Sequence, residues 1–221
     1  MPKNKEKDKK PEKQLKEELN NYLSGNIAEK HPDYFVGDNI EEVSKDEALT
    51  LFLLESPHIE EVNAKKPLMG LSGKAVSKFI GLGDSELGSN VSALTKHKIA
   101  IVNVSNIPLQ VIDANKCDCS NLENELRKIR TQNEVQTTIY EAFAKKMQGF
   151  NKVERIIVCG AFAEKYFDKF IMAEENCLLL KKVYKKEVEI IKVPHPSHGQ
   201  WQFIYTHKEN LGKIKDLFKD Q

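Results

Sequence analysis

The sequence predicts an α/β fold, with three α/β/α layers built around a central, mainly parallel four-stranded sheet. Two observations carry that expectation. Four short apolar runs recur along the chain, Leu51–Leu54, Ile99–Val102, Ile156–Cys159 and Val188–Val193, and segments with helical patterning separate them. The first three runs are continuous rather than alternating, as suits strands buried on both faces of a parallel sheet. Strands that alternate with helices form an open sheet with helices packed on both sides.

The elements follow in order. Met1 to Lys13 alternates lysine with acidic residues and is nearly devoid of apolar side chains. It reads as a solvated tail, followed by one domain from residue 14 to residue 221. Leu15, Leu19 and Leu23, with Tyr22, give a helical stripe. Ser44-Lys45-Asp46-Glu47 has the form of a capping box and is expected to start a short turn before the first strand. Ser72 to Leu82 carries Ala75, Val76, Phe79 and Ile80 on one helical face. Asn121 to Phe150 reads as one long helix or two shorter ones. Ala161 to Met172 follows the third strand directly, and its stripe of Phe162, Tyr166, Phe167 and Phe170 is read as core. A second capping box, Thr206-His207-Lys208-Glu209, opens a last helix with Leu211, Ile214 and Leu217 on one side.

Bulk properties narrow the function classes. The chain has 221 residues, enough for one sizeable core, and 40% of them are hydrophobic, an ordinary globular value. The formal net charge is +1, so nucleic-acid binding would have to rest on a local patch. No apolar run approaches the ~20 residues of a membrane span, and no membrane partner is expected. The lysine-rich start lacks the apolar stretch of a secretory signal. Of the four cysteines, Cys159 falls in an apolar run, and Cys117-Asp118-Cys119 is too tight for an ordinary disulfide. A reducing, cytoplasmic location and a monomeric state are expected.

In open α/β sheets the ligand lies beyond the carboxyl ends of the strands. The first strand exits into Glu55-Ser56-Pro57-His58, the second into Asn103-Val104-Ser105-Asn106, and the fourth into Pro194-His195-Pro196-Ser197-His198. Topology thus places a carboxylate, an amide and an imidazole at one rim. A carboxylate orients or deprotonates water, an amide both donates and accepts on the edge of a base, and an imidazole stabilises a leaving group. On the residues alone, three unrelated polar loops would look the same.

Leu54-Glu55-Ser56-Pro57-His58, followed by Pro67-Leu68-Met69-Gly70-Leu71-Ser72-Gly73, resembles the first motif of the uracil-DNA glycosylase superfamily, in the form found in its iron–sulfur branch. Val102-Asn103-Val104 resembles the strand end whose asparagine reads the base. Val158-Cys159-Gly160-Ala161 resembles the strand–helix junction before the last motif, and His195-Pro196-Ser197 the closing motif. The order and rough spacing match from about Leu51 to Ser197.

The resemblance implies a uracil-DNA glycosylase-like fold and a hydrolase that removes a uracil or another altered base from DNA, leaving an abasic site. It implies that Glu55 positions the attacking water and His195 stabilises the departing base. Ser56 and Pro57 would shape the pocket floor, Leu68 would stand where the branch has a base-stacking aromatic ring, and Asn103 would read the base edge. Gly70, Ser72 and Gly73 would let backbone approach a DNA phosphate. Ser197, His198, Gln200 and Trp201 would face the minor groove, with Trp201 either a wedge in the duplex or simply packed.

The departures are specific. Leu54 replaces a glycine. His58 stands where relatives have glycine or tyrosine, and it either gates the pocket or caps the next turn. No cysteine precedes Glu55, so the cluster pattern is missing and neither a cofactor nor a metal is expected. The base stays open between uracil, another deaminated base and a modified base of foreign DNA, as does the choice of single- or double-stranded substrate. Two other classes remain: a non-catalytic nucleic-acid-binding relative, and a nucleoside hydrolase acting on free nucleosides.

Overall fold

Apolar runs of five residues, too short for helices and punctuated by polar exits, pair side by side into one sheet. In a computed structural model, which describes residues 36–106, 109, 133–173, 178–185, 187–197, 201, 207–216 and 218, these runs are β1 (Thr50–Leu54), β2 (Ile99–Asn103), β3 (Arg155–Cys159) and β4 (Glu189–Val193). The charged start, the Leu15–Leu23 stripe, Cys117, Cys119 and the stretch from Asn121 to Gln132 lie outside the described residues, as do His198, Gln200 and Thr206.

All four strands are parallel, in the order β2-β1-β3-β4. Burial follows the residue pattern. β1 and β2 are buried at every position, β3 at all but Arg155, whereas β4, at one edge, alternates from exposed Glu189 to buried Ile191 and Val193.

Helices flank the sheet: α1 (Ile59–Ala64), α2 (Gly70–Phe79), α3 (Val91–His97), α4 (Asn133–Met147), α5 (Ala161–Ala173), α6 (Leu178–Tyr184) and α7 (Lys208–Asp216). The aromatic stripe of α5 is core: Tyr166, Phe167 and Phe170 are buried, Phe162 is partly so, and Phe170 meets Phe143 of α4 edge to face at 6.0 Å. Ser44 opens a turn, with its Oγ donating to Glu47 Oε2 at 3.0 Å and its carbonyl accepting from Glu47 and Ala48. The helix expected from Ser72 begins earlier, at Gly70. The short α1 was not expected, because six residues with two glutamates in the first turn carry too little periodicity to be seen.

β2 is the other edge. An edge strand presents unpaired main-chain groups that must be satisfied by something else. Here a side chain does it: Asn39 Nδ2 donates to the Ile99 carbonyl at 3.0 Å, and its Oδ1 accepts from Ile101 N at 2.5 Å. Asn39 thereby imitates a short piece of neighbouring strand.

Candidate active site

Because the strands are parallel and in register, with Leu54 beside Asn103 and Cys159 beside Val193, their exits converge on one rim. The order β2-β1-β3 puts consecutive strands on opposite sides of β1, the arrangement that opens a crevice at the carboxyl ends. A cavity of about 360 Å³ lies there, within the range of small-molecule sites. Glu55, Asn103 and His195 all line it, so three residues far apart in sequence meet at one cavity.

Strand pairing continues past β1 and β2 and fixes the first two relative to each other. Val104 N donates to the Leu54 carbonyl at 2.8 Å, and Ser105 N to the Glu55 carbonyl at 3.0 Å. Asn103 is 1% exposed, yet neither its Nδ2 nor its Oδ1 has a hydrogen-bond partner among the described residues. Buried amides are nearly always paired, and an orphaned one calls for an explanation. Facing a cavity, it is an unused donor beside an unused acceptor.

His195 comes from β4, two strands away from β1, and must reach back across the end of β3. Gly160 stands at that crossing. It has φ of +89°, its N donates to the Val193 carbonyl at 2.8 Å, and a Cβ built on it would lie 3.1 Å from His195 Cβ. A side chain at residue 160 would push the histidine away. His195 Nδ1 accepts from Ser197 N at 3.2 Å, which leaves the proton of a neutral ring on Nε2.

The segment between β1 and α2 contributes to the same cavity. Ser56, Pro57, His58, Leu68 and Ser72 line the cavity there, and Ser197 closes it near His195. Ser56 Oγ accepts from Leu109 N at 3.4 Å. His58 occupies the N-cap position of α1, with Nδ1 2.6 Å from Glu60 Oε2, and stands exposed at the lip.

Two residues serve the chain itself. The lack of a side chain at Gly73 is required by packing, since a Cβ there would sit 1.8 Å from the Leu68 carbonyl oxygen. Gly88 makes the same allowance for the Pro67 carbonyl, and Gly70, with φ of +69°, lies against Glu60. Of the two expectations for Trp201, a wedge or simple packing, the structure shows it packed. It is 2% exposed, its Nε1 donates to the Pro194 carbonyl at 2.7 Å, and its ring meets Phe79 edge to face at 5.5 Å. A ring held from both sides supports the loop that carries His195.

Sequence reasoning missed Glu61. It lines the cavity at 7% exposure and clasps the loop, its Oε2 accepting from His58 N at 2.7 Å and its Oε1 from Leu68 N at 2.6 Å. That clasp holds Leu68 in a left-handed conformation, φ +52°, which a leucine rarely adopts. In a run as charged as His58-Ile59-Glu60-Glu61 the natural reading is a solvated face.

Burial pushes the Glu61 carboxyl up from 4.5 to about 7, against the two main-chain donors that favour the charge. Between those values the folded chain keeps a proton that the unfolded chain has lost. Stability is therefore expected to fall as pH rises from about 4.5 through about 7, by a few kcal/mol at most. Urea unfolding at pH 5 and pH 8 checks this: Glu61→Gln should lower stability at pH 5 but flatten the pH dependence. An unchanged slope would mean that Glu61 does not carry it.

Among the described residues, the cavity lining includes Glu55, Glu60 and Glu61 but no lysine or arginine. An iron–sulfur cluster does not fit the described residues. Their single cysteine, Cys159, is buried in β3, and no group of three His, Cys, Asp or Glu side chains among them converges on a metal-sized site. No helix among the described residues is long and apolar enough to cross a membrane.

No protein-family model matches the chain, and no curated protein matches it. Among solved structures it is similar to an NMR solution structure from Methanosarcina acetivorans, provisionally described as a uracil DNA glycosylase. The identity is 15% and the TM-score 0.43, over 84% of this chain and 98% of that one. A likeness of that degree assigns neither family nor activity.

Proposed function

We propose that this chain is a DNA glycosylase that hydrolyses the N-glycosidic bond of a base swung out of DNA into the cavity. The observation that carries the reading is Asn103, a buried amide with both polar atoms unpartnered among the described residues, in a cavity shared with a carboxylate and an imidazole. An amide offers one donor and one acceptor. Its complement is a carbonyl beside an N–H, the lactam edge of a base such as uracil or hypoxanthine.

The chemistry follows from the side chains. As the bond from C1′ to the base nitrogen breaks, its electron pair leaves with the base and positive charge builds on the sugar. Glu55 faces that charge and orients the water whose oxygen bonds to C1′, taking up its proton. His195 offers Nε2–H to the base oxygen on which negative charge develops. Among the described residues no lysine lines the cavity to form a Schiff base, and an intact abasic site is the expected product. The target base lies inside a stack unless the strand is single, and must be flipped before it is read.

One observation favours a second reading. Among the described residues the cavity is lined by Glu55, Glu60 and Glu61 and by no cation, a lining that offers phosphates no attraction and suits a free nucleoside better than a polymer. The test is to offer uracil and hypoxanthine in single- and double-stranded oligonucleotides and, in parallel, as free nucleosides. Alkali-labile sites at the altered base are the expected result. Hydrolysis of the nucleosides alone would establish the second reading.

A further inference from the structure

We propose that Asp38 and Lys146 are positioning residues for Asn103, an ion pair that grips its peptide groups from the open edge of the sheet. The proposal rests on the reading of Asn103 as the group that recognises the base.

The edge of β2 sets the problem. Its outward main-chain groups at Ile99 and Ile101 are met by the neutral side chain of Asn39. One repeat further along, at Asn103, the partners are charged. Lys146 Nζ, from the last turn of α4, donates to the Asn103 carbonyl, and the Asn103 N–H is bonded to the Asp38 carboxylate. Asp38 and Lys146 lie 3.9 Å apart, too far for a direct hydrogen bond, so they meet through the Asn103 main chain. Their side chains are 8% and 11% exposed.

Asp38 has further support, and the backbone that carries Lys146 is tied down as well. Asn106 Nδ2 lies 3.4 Å from Asp38 Oδ1 and donates to the Val36 carbonyl at 2.5 Å, while Lys45 Nζ donates to the Lys146 carbonyl at 2.6 Å. Residues 108 positions apart are thus brought to one peptide of the strand end.

Stability alone does not call for this arrangement. Asn39 shows that a neutral amide satisfies the same edge, whereas burying two charges carries a desolvation penalty that their attraction often fails to repay. Burial pushes Asp38 up and Lys146 down, each against its own charge. Charge-assisted bonds are shorter and stiffer than neutral ones. They fall where stiffness matters: the Asn103 side chain has no partner of its own among the described residues, so its place in the cavity is set by its main chain. Side chains held by their surroundings recognise a ligand better than loose ones.

The test uses the full chain. The primary variant is Asp38→Asn with Lys146→Met, which removes both charges of the pair together; Lys45 keeps its main-chain acceptors at Lys146 and Gln148. Lys146→Arg is the charge-keeping companion. Two quantities are read: amide hydrogen exchange at Asn103, and the ratio of kcat/KM for a lactam-edged base over cytosine in the same oligonucleotide. In the double variant, exchange should quicken and the ratio should fall, each by about ten-fold or more, while kcat for the preferred base changes less than the ratio. Lys146→Arg, which keeps the charge, should leave both close to wild type.

Unchanged exchange at Asn103 in the double variant would overturn the clasp. Faster exchange with an unchanged ratio would overturn its role in recognition. If the double variant does not fold, Asp38→Asn alone is read by the same two quantities, and the same outcomes overturn the clasp or its role. A wild-type chain that releases no base from any oligonucleotide would sink the proposed function, and the exchange measurement would still decide the clasp.

Discussion

Glu55→Gln and His195→Ala should each slow base release in a single turnover by roughly 10² or more, while oligonucleotide binding changes little. The two groups meet opposite charges. Glu55, whose carbonyl is tied to Ser105, sits at the end of the central strand and faces the sugar side of the cavity mouth in the proposed pose. Glutamine keeps the shape and loses the charge. His195 gives a proton-bearing Nε2, with its ring oriented by Ser197 N–H, and alanine removes that donor altogether. Rapid-quench rates with enzyme in excess, beside equilibrium binding to the same oligonucleotide, separate a chemical defect from a binding defect. A loss confined to binding would remove both residues from the reaction.

Asn103→Asp should change which base is accepted. At 1% exposure the carboxylate would have no partner in the described protein and would replace a donor with an acceptor. Against a lactam edge that leaves two acceptors facing each other, a mismatch on the order of a few kcal/mol. Release of uracil or hypoxanthine should drop by about 10², and an amino-edged base such as cytosine should gain relative to them. A panel of oligonucleotides differing at one base measures the ranking directly. The same ranking in variant and wild type would show that Asn103 is not the reader.

What the sequence disclosed, and what it hid, divides along physical lines. Leu51–Leu54 and Ile99–Val102 are continuously apolar because both sheet faces are covered, so strand type and a parallel sheet were readable from hydropathy. Parallel strands share one carboxyl edge, and the meeting of Glu55, Asn103 and His195 at one cavity followed from that alone. Orientation of loop side chains did not follow. Trp201 looks like a loop aromatic in sequence, and only Phe79 and the Pro194 carbonyl, brought near by the fold, draw it inward. Gly73 is invisible as a packing requirement until the Leu68 carbonyl is placed against it. Asp38 and Lys146 belong to no local pattern, since the edge they close is made by a strand distant from both in sequence. Glu61 hides among charged neighbours because its partners are main-chain donors, which composition does not reveal.

The most direct measurement is the release of base itself. An oligonucleotide carrying one uracil or one hypoxanthine is incubated with the wild-type chain, with Glu55→Gln and with His195→Ala. Free base is quantified by chromatography beside the abasic site revealed by alkali. The expected result is free base and abasic site in equal amounts from the wild type, and a strong loss of both in the two variants. No release from any altered oligonucleotide by the wild type, or release at the full rate by both variants, would contradict a glycosylase built on Glu55 and His195.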